Sequence, residues 1–169
     1  MVTLQTPRLL LRLLEPGDAV ALMAIFGDPE VMAYSDKGVR DTTWVEGWIR
    51  RELEQQRRHS FGRYAVTERD SRALVGYCGL ENEELEGRTE IALGYRLARS
   101  RWGSGYATEA ARAVLEHGLL HLGLSRIVAR IDPGNGASVR VAERLGMKLE
   151  KEVILEGYTH PDHLYVITR

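Results

Sequence analysis

The chain has 169 residues, of which 44% are hydrophobic and 28% charged, a balance typical of a globular domain with a buried core. Its 23 Lys and Arg residues nearly equal its 24 Asp and Glu residues, which argues against a nucleic-acid partner recognised by bulk positive charge. The sequence contains neither a signal-peptide pattern nor a run of 18 apolar residues, so we expect one cytoplasmic domain over residues 1–169 with no membrane partner.

The first part of the chain predicts a short strand followed by two helices. Residues 8–13 are apolar enough for a strand, and residues 20–27 have apolar side chains at helical spacing. Pro29, preceded by Asp28 as a cap, predicts a second short helix over residues 29–34.

A longer helix and an antiparallel region come next. Thr43 and Glu46 form a capping-box pattern at the start of a helix with an apolar stripe and a charged outer face. Residues 62–80 predict a β-hairpin, residues 81–88 a polar loop and residues 89–97 a further strand. This first half therefore indicates an antiparallel meander.

The second half changes character and predicts a βαβ unit. A glycine-containing turn, a long helix, a strand, a short helix and a last strand follow one another at residues 100–105, 106–122, 126–131, 138–145 and 164–168. The predicted fold class is α/β (α+β), with a mixed sheet of about six to seven strands and flanking helices.

The glycine-containing turn is the most informative segment for function. A helix N-terminus carries unpaired N–H groups and partial positive charge, and glycines let an anion such as a phosphate approach the main chain. Glycines that merely permit a tight turn are the alternative. A dinucleotide-binding pattern fails because Thr108 stands where the third glycine is needed, and no Gly-Lys-Ser/Thr follows for a P-loop.

Three segments together resemble one known family. Arg96-Leu97 followed by residues 102–110, WGSGYATEA, resembles the acetyl-CoA motif of the GNAT superfamily. Residues 4–12 and residues 133–147 are similar to the first strand and the Asn-x-x-Ser region of the branch that acetylates ribosomal-protein amino termini. The resemblance implies a GNAT fold and an N-acetyltransferase that uses acetyl-CoA as its cosubstrate.

The resemblance also implies a set of coenzyme-binding residues. The main chain of Tyr95, Arg96 and Leu97 should pair with the pantetheine arm, and Asn135 should hydrogen-bond the same region, although helix capping suits Asn135 equally well. Ser138 should lie near the thiol. The pyrophosphate should meet the segment that opens with Trp102 and offers the N–H groups of Gly103, Ser104, Gly105, Tyr106 and Ala107, with Arg101 close by.

The apolar residues around Cys78 favour a buried, unreactive thiol. In the family the amine attacks the thioester directly, so no nucleophilic thiol is needed. The carboxylate of Glu90 is the candidate general base, and the alternatives are water as the base and an exposed strand-end role for Glu90. Ser138 is the candidate general acid, whereas Tyr165 is predicted to pack in the core. A main-chain N–H near Tyr95 or Leu97 should polarise the carbonyl.

The acceptor is predicted to be a primary amine, either a peptide α-amine or a small molecule. Acidic residues within 81–86 would suit a cationic acceptor, and a solvated loop is the simpler alternative. His160, Asp162 and His163 are interpreted as a surface loop, so no metal is predicted. Assembly into a homodimer is compatible with the sequence. The competing hypothesis is a CoA-binding module without catalysis.

Overall fold

A computed structural model of the chain describes residues 2–35, 37–155 and 157–169. It contains an eight-stranded sheet with the order β1-β2-β3-β4-β5-β6-β8-β7. The strands are β1 Leu4–Gln5, β2 Leu9–Arg12, β3 Arg63–Glu68, β4 Leu74–Leu85, β5 Arg88–Leu97, β6 Arg126–Ile131, β7 Lys148–Val153 and β8 Asp162–Thr168. The α-helices are α1 Ala19–Phe26, α2 Thr42–Arg58, α3 Tyr106–Glu116 and α4 Gly136–Arg144. No helix among the described residues is long and apolar enough to cross a membrane.

The sheet is antiparallel except between β5 and β6, which are joined through α3 and run parallel. Within the described part of the chain these two strands pair only at Ala92 and Val128. Beyond Ala92 the strands therefore diverge, and the sheet opens at the end where β5 leads into the glycine turn. This confirms the predicted mixed sheet, with an antiparallel first half and a βαβ second half.

Apolar side chains cover both faces of the sheet. On one face Cys78, Leu93 and Ile127 pack with Val114 of α3 in the largest buried cluster. On the other face the aromatic ring of Tyr77 stacks on Phe26 of α1 at a centroid distance of 5.6 Å, within a second cluster that includes residues of α2. Burial of these apolar groups fixes the positions of the strand ends that form the site.

Two predicted helix starts are wrong in detail. Residues 29–34 form successive turns and no α-helix. The N–H of Met32 bonds to Asp28, that of Ala33 to Glu30 and that of Ser35 to Met32, so bonds of different spacing replace a continuous helical ladder. Helix α2 begins at Thr42, and its cap is Asp41, whose carboxylate accepts from the Trp44 N–H at 2.8 Å. Asp41 takes the cap because its carboxylate already satisfies a first-turn donor, so the predicted capping box is not used.

The predicted polar loop at 81–88 is also wrong. β4 continues to Leu85 and β5 starts at Arg88, so that only Glu86 and Gly87 make the turn. Leu85 is buried, and Glu81 and Glu83 share one face of the extended strand. The hairpin at 62–80 and the strand at 126–131 are confirmed.

The end of the chain holds one strand more than expected at its edge. β7 was not predicted because most of its side chains are charged and exposed, as is common at the edge of a sheet. β8 begins at Asp162, so Asp162 and His163 belong to a strand and not to the predicted surface loop.

Candidate active site

The turn before α3 has the backbone geometry that the glycines permit. Gly103 and Gly105 lie in the left-handed region with φ values of +74° and +83°. In the described part of the chain nothing lies within 4 Å of a Cβ placed on Gly103, so the backbone conformation and not lack of space requires glycine there. Gly105 caps α3 without a side-chain hydrogen bond from any described residue, which leaves first-turn N–H groups available to an anion.

Trp102 connects this turn to the end of β5. Its indole Nε1 donates to the carbonyl oxygen of Leu97 at 3.0 Å, while its ring stays 51% exposed. The turn is therefore fixed relative to the last residue of β5.

Arg8, which sequence analysis assigned to no site, braces the turn from the start of β2. Its Nη1 donates to the carbonyl oxygen of Ser104 at 2.8 Å, and its guanidinium lies 4.7 Å from the centroid of the Tyr106 ring. Arg101 instead pairs with Glu68 of β3, with Nε 2.7 Å from Oε1. The sequence feature that indicates Arg8 is its position directly before an apolar strand, within the N-terminal segment at residues 4–12.

The open edge of β5 carries the main chain predicted to bind the pantetheine. The carbonyl oxygen of Arg96 approaches Gly76 of β4 so closely that no Cβ would fit on Gly76. Because backbone groups alternate between the two edges of a strand, those of Tyr95 and Leu97 face the diverging side, and those of Arg96 face β4. The structure thus separates Arg96 from the other two residues.

A cavity of about 420 Å³ lies where β5 and β6 diverge. The ends of both strands, the start of α4 and the loop after α1 line it. Tyr34 of that loop donates its hydroxyl to the carbonyl oxygen of Gly134 at 2.9 Å, which connects the loop to the turn before α4. Tyr95, Arg96, Asn135 and Ser138 all line the cavity, so the structure brings together these four predicted residues.

Ser138 and Tyr95 meet on the wall of this cavity. Burial raises the pKa of the Tyr95 hydroxyl to about 12, although the neighbouring Ser138 hydroxyl lowers it. The Tyr95 oxygen is buried without a well-formed hydrogen bond to any described residue. Asn135 caps α4 by accepting from the Ser138 N–H at 3.2 Å, so its capping role is present in the structure.

Glu90 lies away from these groups. Its carboxylate pairs with Arg126, with Nε 3.1 Å from Oε2, and Arg126 also binds Glu150. Among the described residues that line the cavity, β5 contributes Ala92 and the residues after it, whereas Glu90 precedes them. The structure therefore does not bring Glu90 to Ser138.

Acidic side chains of neighbouring strands line the cavity instead. Glu83 and Asp162 both pair with Arg130, with Arg130 Nε 2.7 Å from Glu83 Oε1. Ligand atoms of Asp132, His160 and Asp162 lie within 4.8 Å of one another on the same wall. Glu81 pairs with Arg63 of β3.

Cys78 is buried within the core, as expected. Its side chain has 0% exposure, and burial raises the pKa of the thiol well above its usual range. A thiol that is neutral and out of contact with the cavity is unsuited to nucleophilic chemistry. Tyr165 is buried in the largest apolar cluster, which confirms its predicted packing role.

Comparison with known proteins identifies the same family that the sequence resembles. The model of the acetyltransferase (GNAT) domain matches residues 8–148. An uncharacterized N-acetyltransferase, p20, from Bacillus licheniformis is 32% identical over 94% of this chain and 88% of its own length. The crystal structure of a GNAT-family acetyltransferase from Bacillus anthracis aligns with a TM-score of 0.86 at 27% identity, over 99% of this chain and 98% of that chain.

A third likeness concerns the fold alone. The ribosomal L7/L12 α-N-protein acetyltransferase RimL, solved in complex with coenzyme A, aligns with a TM-score of 0.81 at 18% identity. The alignment covers 99% of this chain and 98% of that chain. At this identity the likeness shows a shared architecture and leaves the branch within the family unassigned.

Proposed function

Because this chain belongs to the GNAT acetyltransferase family, we propose that it transfers an acetyl group from acetyl-CoA to a primary amine, with residues 1–169 acting as one catalytic domain. The observation that carries the proposal is the alignment of three features at one end of the sheet. These are the uncapped N-terminus of α3, the open edge of β5 and the cavity between β5 and β6.

The donor would lie across these three features in order. Its pyrophosphate would accept hydrogen bonds from the N–H groups of residues 103–107, where the helix dipole favours negative charge. The pantetheine arm would pair with the backbone of Tyr95 and Leu97 in the manner of an added strand, and Asn135 would face it from the start of α4. The thioester would then reach the cavity beside Ser138.

The residues support direct transfer. The amine nitrogen attacks the thioester carbonyl carbon, and a main-chain N–H on the open edge of β5 stabilises the oxyanion. The carbon–sulfur bond then breaks, the thiolate takes a proton from the Ser138 hydroxyl, and the nitrogen gives up its extra proton to restore that hydroxyl. The position of Ser138 beside Tyr95 supports this role. The buried Cys78 offers no accessible nucleophile for an acetyl-enzyme.

The acceptor would enter from the side of the cavity that Tyr34 and the acidic strand residues line. A primary amine that is positively charged in solution fits carboxylate-bearing walls, whether it is a peptide α-amine or an alkyl amine. The fold likeness to RimL is compatible with a peptide acceptor, and the RimL complex with coenzyme A supports the choice of donor.

Turnover of acetyl-CoA with a panel of amines and peptides tests this function. Free thiol should appear only when an acceptor is present, and mass spectrometry should find the acetylated amine in equal amount. Binding of CoA without thiol release for any acceptor would favour the non-catalytic module. Tighter binding of NAD(P) than of CoA would contradict the donor site.

A further inference from the structure

One carboxylate of β4 lies at the point where β5 starts to diverge. Glu81 is paired directly with Ala92 across the β4–β5 ladder, so both side chains are on the same face of the sheet. The methyl group of Ala92 leaves that space to its neighbour. A Cβ placed on Gly94 would lie 3.6 Å from Glu81 Oε1, which shows that the carboxylate extends over Gly94 and into the cavity.

Glu81 belongs to a group of three charges that is not neutral. Arg63 of β3 donates from Nη1 to Oε1 of Glu52 at 2.6 Å and pairs through Nη2 with Glu81. Two carboxylates therefore share one guanidinium. The Glu52 and Arg63 side chains are 9% and 13% exposed, whereas Glu81 is 37% exposed, so the excess negative charge faces the cavity through Glu81.

Resting on the function proposed above, we propose that Glu81 is the general base that accepts the proton of the acceptor ammonium group. The ammonium nitrogen gives one proton to a carboxylate oxygen of Glu81, directly or through one water. The neutral amine then forms the bond to the thioester carbonyl carbon, and the carbon–sulfur bond breaks to release the thiolate. The nitrogen loses its second proton, which passes to the thiolate through Ser138, and Glu81 returns its proton to water. The lone pair needed for attack comes from the nitrogen, so no further reactant is required.

The charges around Glu81 suit this role. It faces Glu52 from α2, Arg63 from β3, Glu83 from its own strand, and the small residues of β5. Burial raises the pKa of Glu81 and outweighs the opposing effect of Arg63, while Glu83 and Glu52 raise it further. A carboxylate with a raised pKa holds a transferred proton better than an exposed one.

The other carboxylates that line the cavity, Glu83, Asp132 and Asp162, also have partners, and Asp132 accepts from the Gly134 N–H at 2.7 Å. Glu83 and Asp162 share Arg130, and Asp162 lies on the opposite side of the β5–β6 opening. Glu90 precedes the cavity and pairs with Arg126. Glu81 is therefore the carboxylate that lies opposite Ala92 and over Gly94, at the point where β5 diverges.

The size of the expected effect follows from the acceptor. An alkyl ammonium group with a pKa of about 10.4 is neutral in roughly one molecule in 2,500 at pH 7, so a group that removes its proton at the site raises the fraction of reactive amine. A positioned base contributes about 10²- to 10⁴-fold. For an α-amine, with a pKa near 8, the demand on the base is about two orders of magnitude smaller.

Glu81→Gln, assayed with acetyl-CoA and an alkyl amine, tests the assignment. We expect kcat/KM to fall about 100-fold at pH 7, with CoA affinity unchanged, and the deficit to shrink as the pH approaches 10. The matched control is Glu84→Gln on the same strand, because Glu84 is exposed and its carboxylate contacts Thr89. That control should keep the wild-type rate and pH profile.

Glu52→Gln tests the same charge group without removing Glu81. Because the Glu52 charge raises the pKa of Glu81, its removal should move the acidic limb of the pH–rate profile to lower pH while turnover persists. A structural role for Glu81 would leave that limb in place. Thermal unfolding of each variant shows whether it is folded.

Three results would overturn the assignment. An active wild type whose Glu81→Gln variant keeps the same rate and pH profile would remove Glu81 as the base and leave the proposed function intact. The same conclusion would follow if Glu90→Gln, and not Glu81→Gln, showed the loss. A wild type that releases no thiol with any amine would contradict the proposed function, and the assignment with it.

Discussion

The guanidinium of Arg8 binds the carboxylate of Glu109 across 101 residues of sequence, with Nε 2.7 Å from Oε2. The same carboxylate accepts from the Thr6 hydroxyl at 2.6 Å and from the Arg8 N–H at 2.9 Å. Glu109 lies in the first turn of α3, directly after the glycine turn. The N-terminal strand is therefore attached to the helix that would bind the pyrophosphate, which gives a physical reason for these two motifs to occur in one chain.

Loss of this attachment should destabilise the protein in a pH-dependent way. Burial acts to raise the pKa of Glu109, but the bonds from Thr6 and Arg8 outweigh it and the net shift is downward. A lowered pKa in the folded state contributes stability that is present above the unfolded value near 4.3 and is lost as the pH falls through the folded value. Glu109→Gln should therefore lower Tm at pH 7 by roughly 4–8 °C, corresponding to about 2 kcal/mol, with a smaller gap near pH 3.

The control for this experiment is Glu116→Gln, at the exposed end of the same helix. Thermal unfolding at both pH values should show almost no change for that variant. A constant Tm difference between wild type and Glu109→Gln from pH 3 to pH 7 would contradict the ionic attachment.

The glycine turn allows a charged substitution with a close match elsewhere. Gly105→Glu places a carboxylate where the pyrophosphate is proposed to bind, and Gly87→Glu places one in the β4–β5 turn at a similar positive φ of +77°. Both should cost about 1–2 kcal/mol of stability from the left-handed backbone. Only Gly105→Glu should abolish CoA binding in calorimetric titration, and wild-type affinity in that variant would refute the donor site.

Substitutions at Ser138 and Tyr95 should distinguish an effect on turnover from an effect on coenzyme binding or stability. Ser138→Ala removes the proposed proton donor and should lower kcat by about 10- to 100-fold with a small change in KM for acetyl-CoA. Tyr95→Phe removes a hydroxyl that lacks a well-formed hydrogen bond among the described residues, so its stability should stay near wild type. Steady-state kinetics decide the point, and an unchanged kcat in Ser138→Ala would assign the proton to water or to Tyr95.

Cys78 should prove dispensable for turnover. Cys78→Ala should retain the wild-type kcat and lose about 1–2 kcal/mol of stability, because a buried side chain is shortened within the core. Mass spectrometry of the enzyme mixed with acetyl-CoA alone should detect no acetylated protein. An acetyl group on Cys78 during turnover would require a two-step mechanism.

Short sequence patterns, such as an apolar run bounded by turns, predict the strands and helices whose side chains are buried. The strand at residues 126–131 is apolar and bounded by turns, and it was predicted with its observed bounds. The charged edge strand β7 was missed because its residues pair through the backbone and bury few side chains. The sequence predicts a loop at Glu81 and Glu83, because a strand with alternating acidic residues has the composition of a loop.

The residues of the candidate site likewise fall into those that a local pattern predicts and those that only the tertiary structure brings together. The glycine turn was found because its backbone requires specific residue types over a short segment. Arg8, Tyr34 and Glu81 reach the site through strand pairing and loop placement, which a local pattern does not contain. The homodimer and the primary-amine acceptor stay predictions.

The placement of acetyl-CoA is most directly tested by the backbone amide resonances of the protein with and without CoA. The donor site predicts large shifts and slower hydrogen exchange for residues 103–107 and for Tyr95 and Leu97, with a much smaller effect on Arg96, whose backbone groups face β4. Saturating CoA that perturbs β7 and β8 while leaving residues 103–107 unchanged would contradict the account.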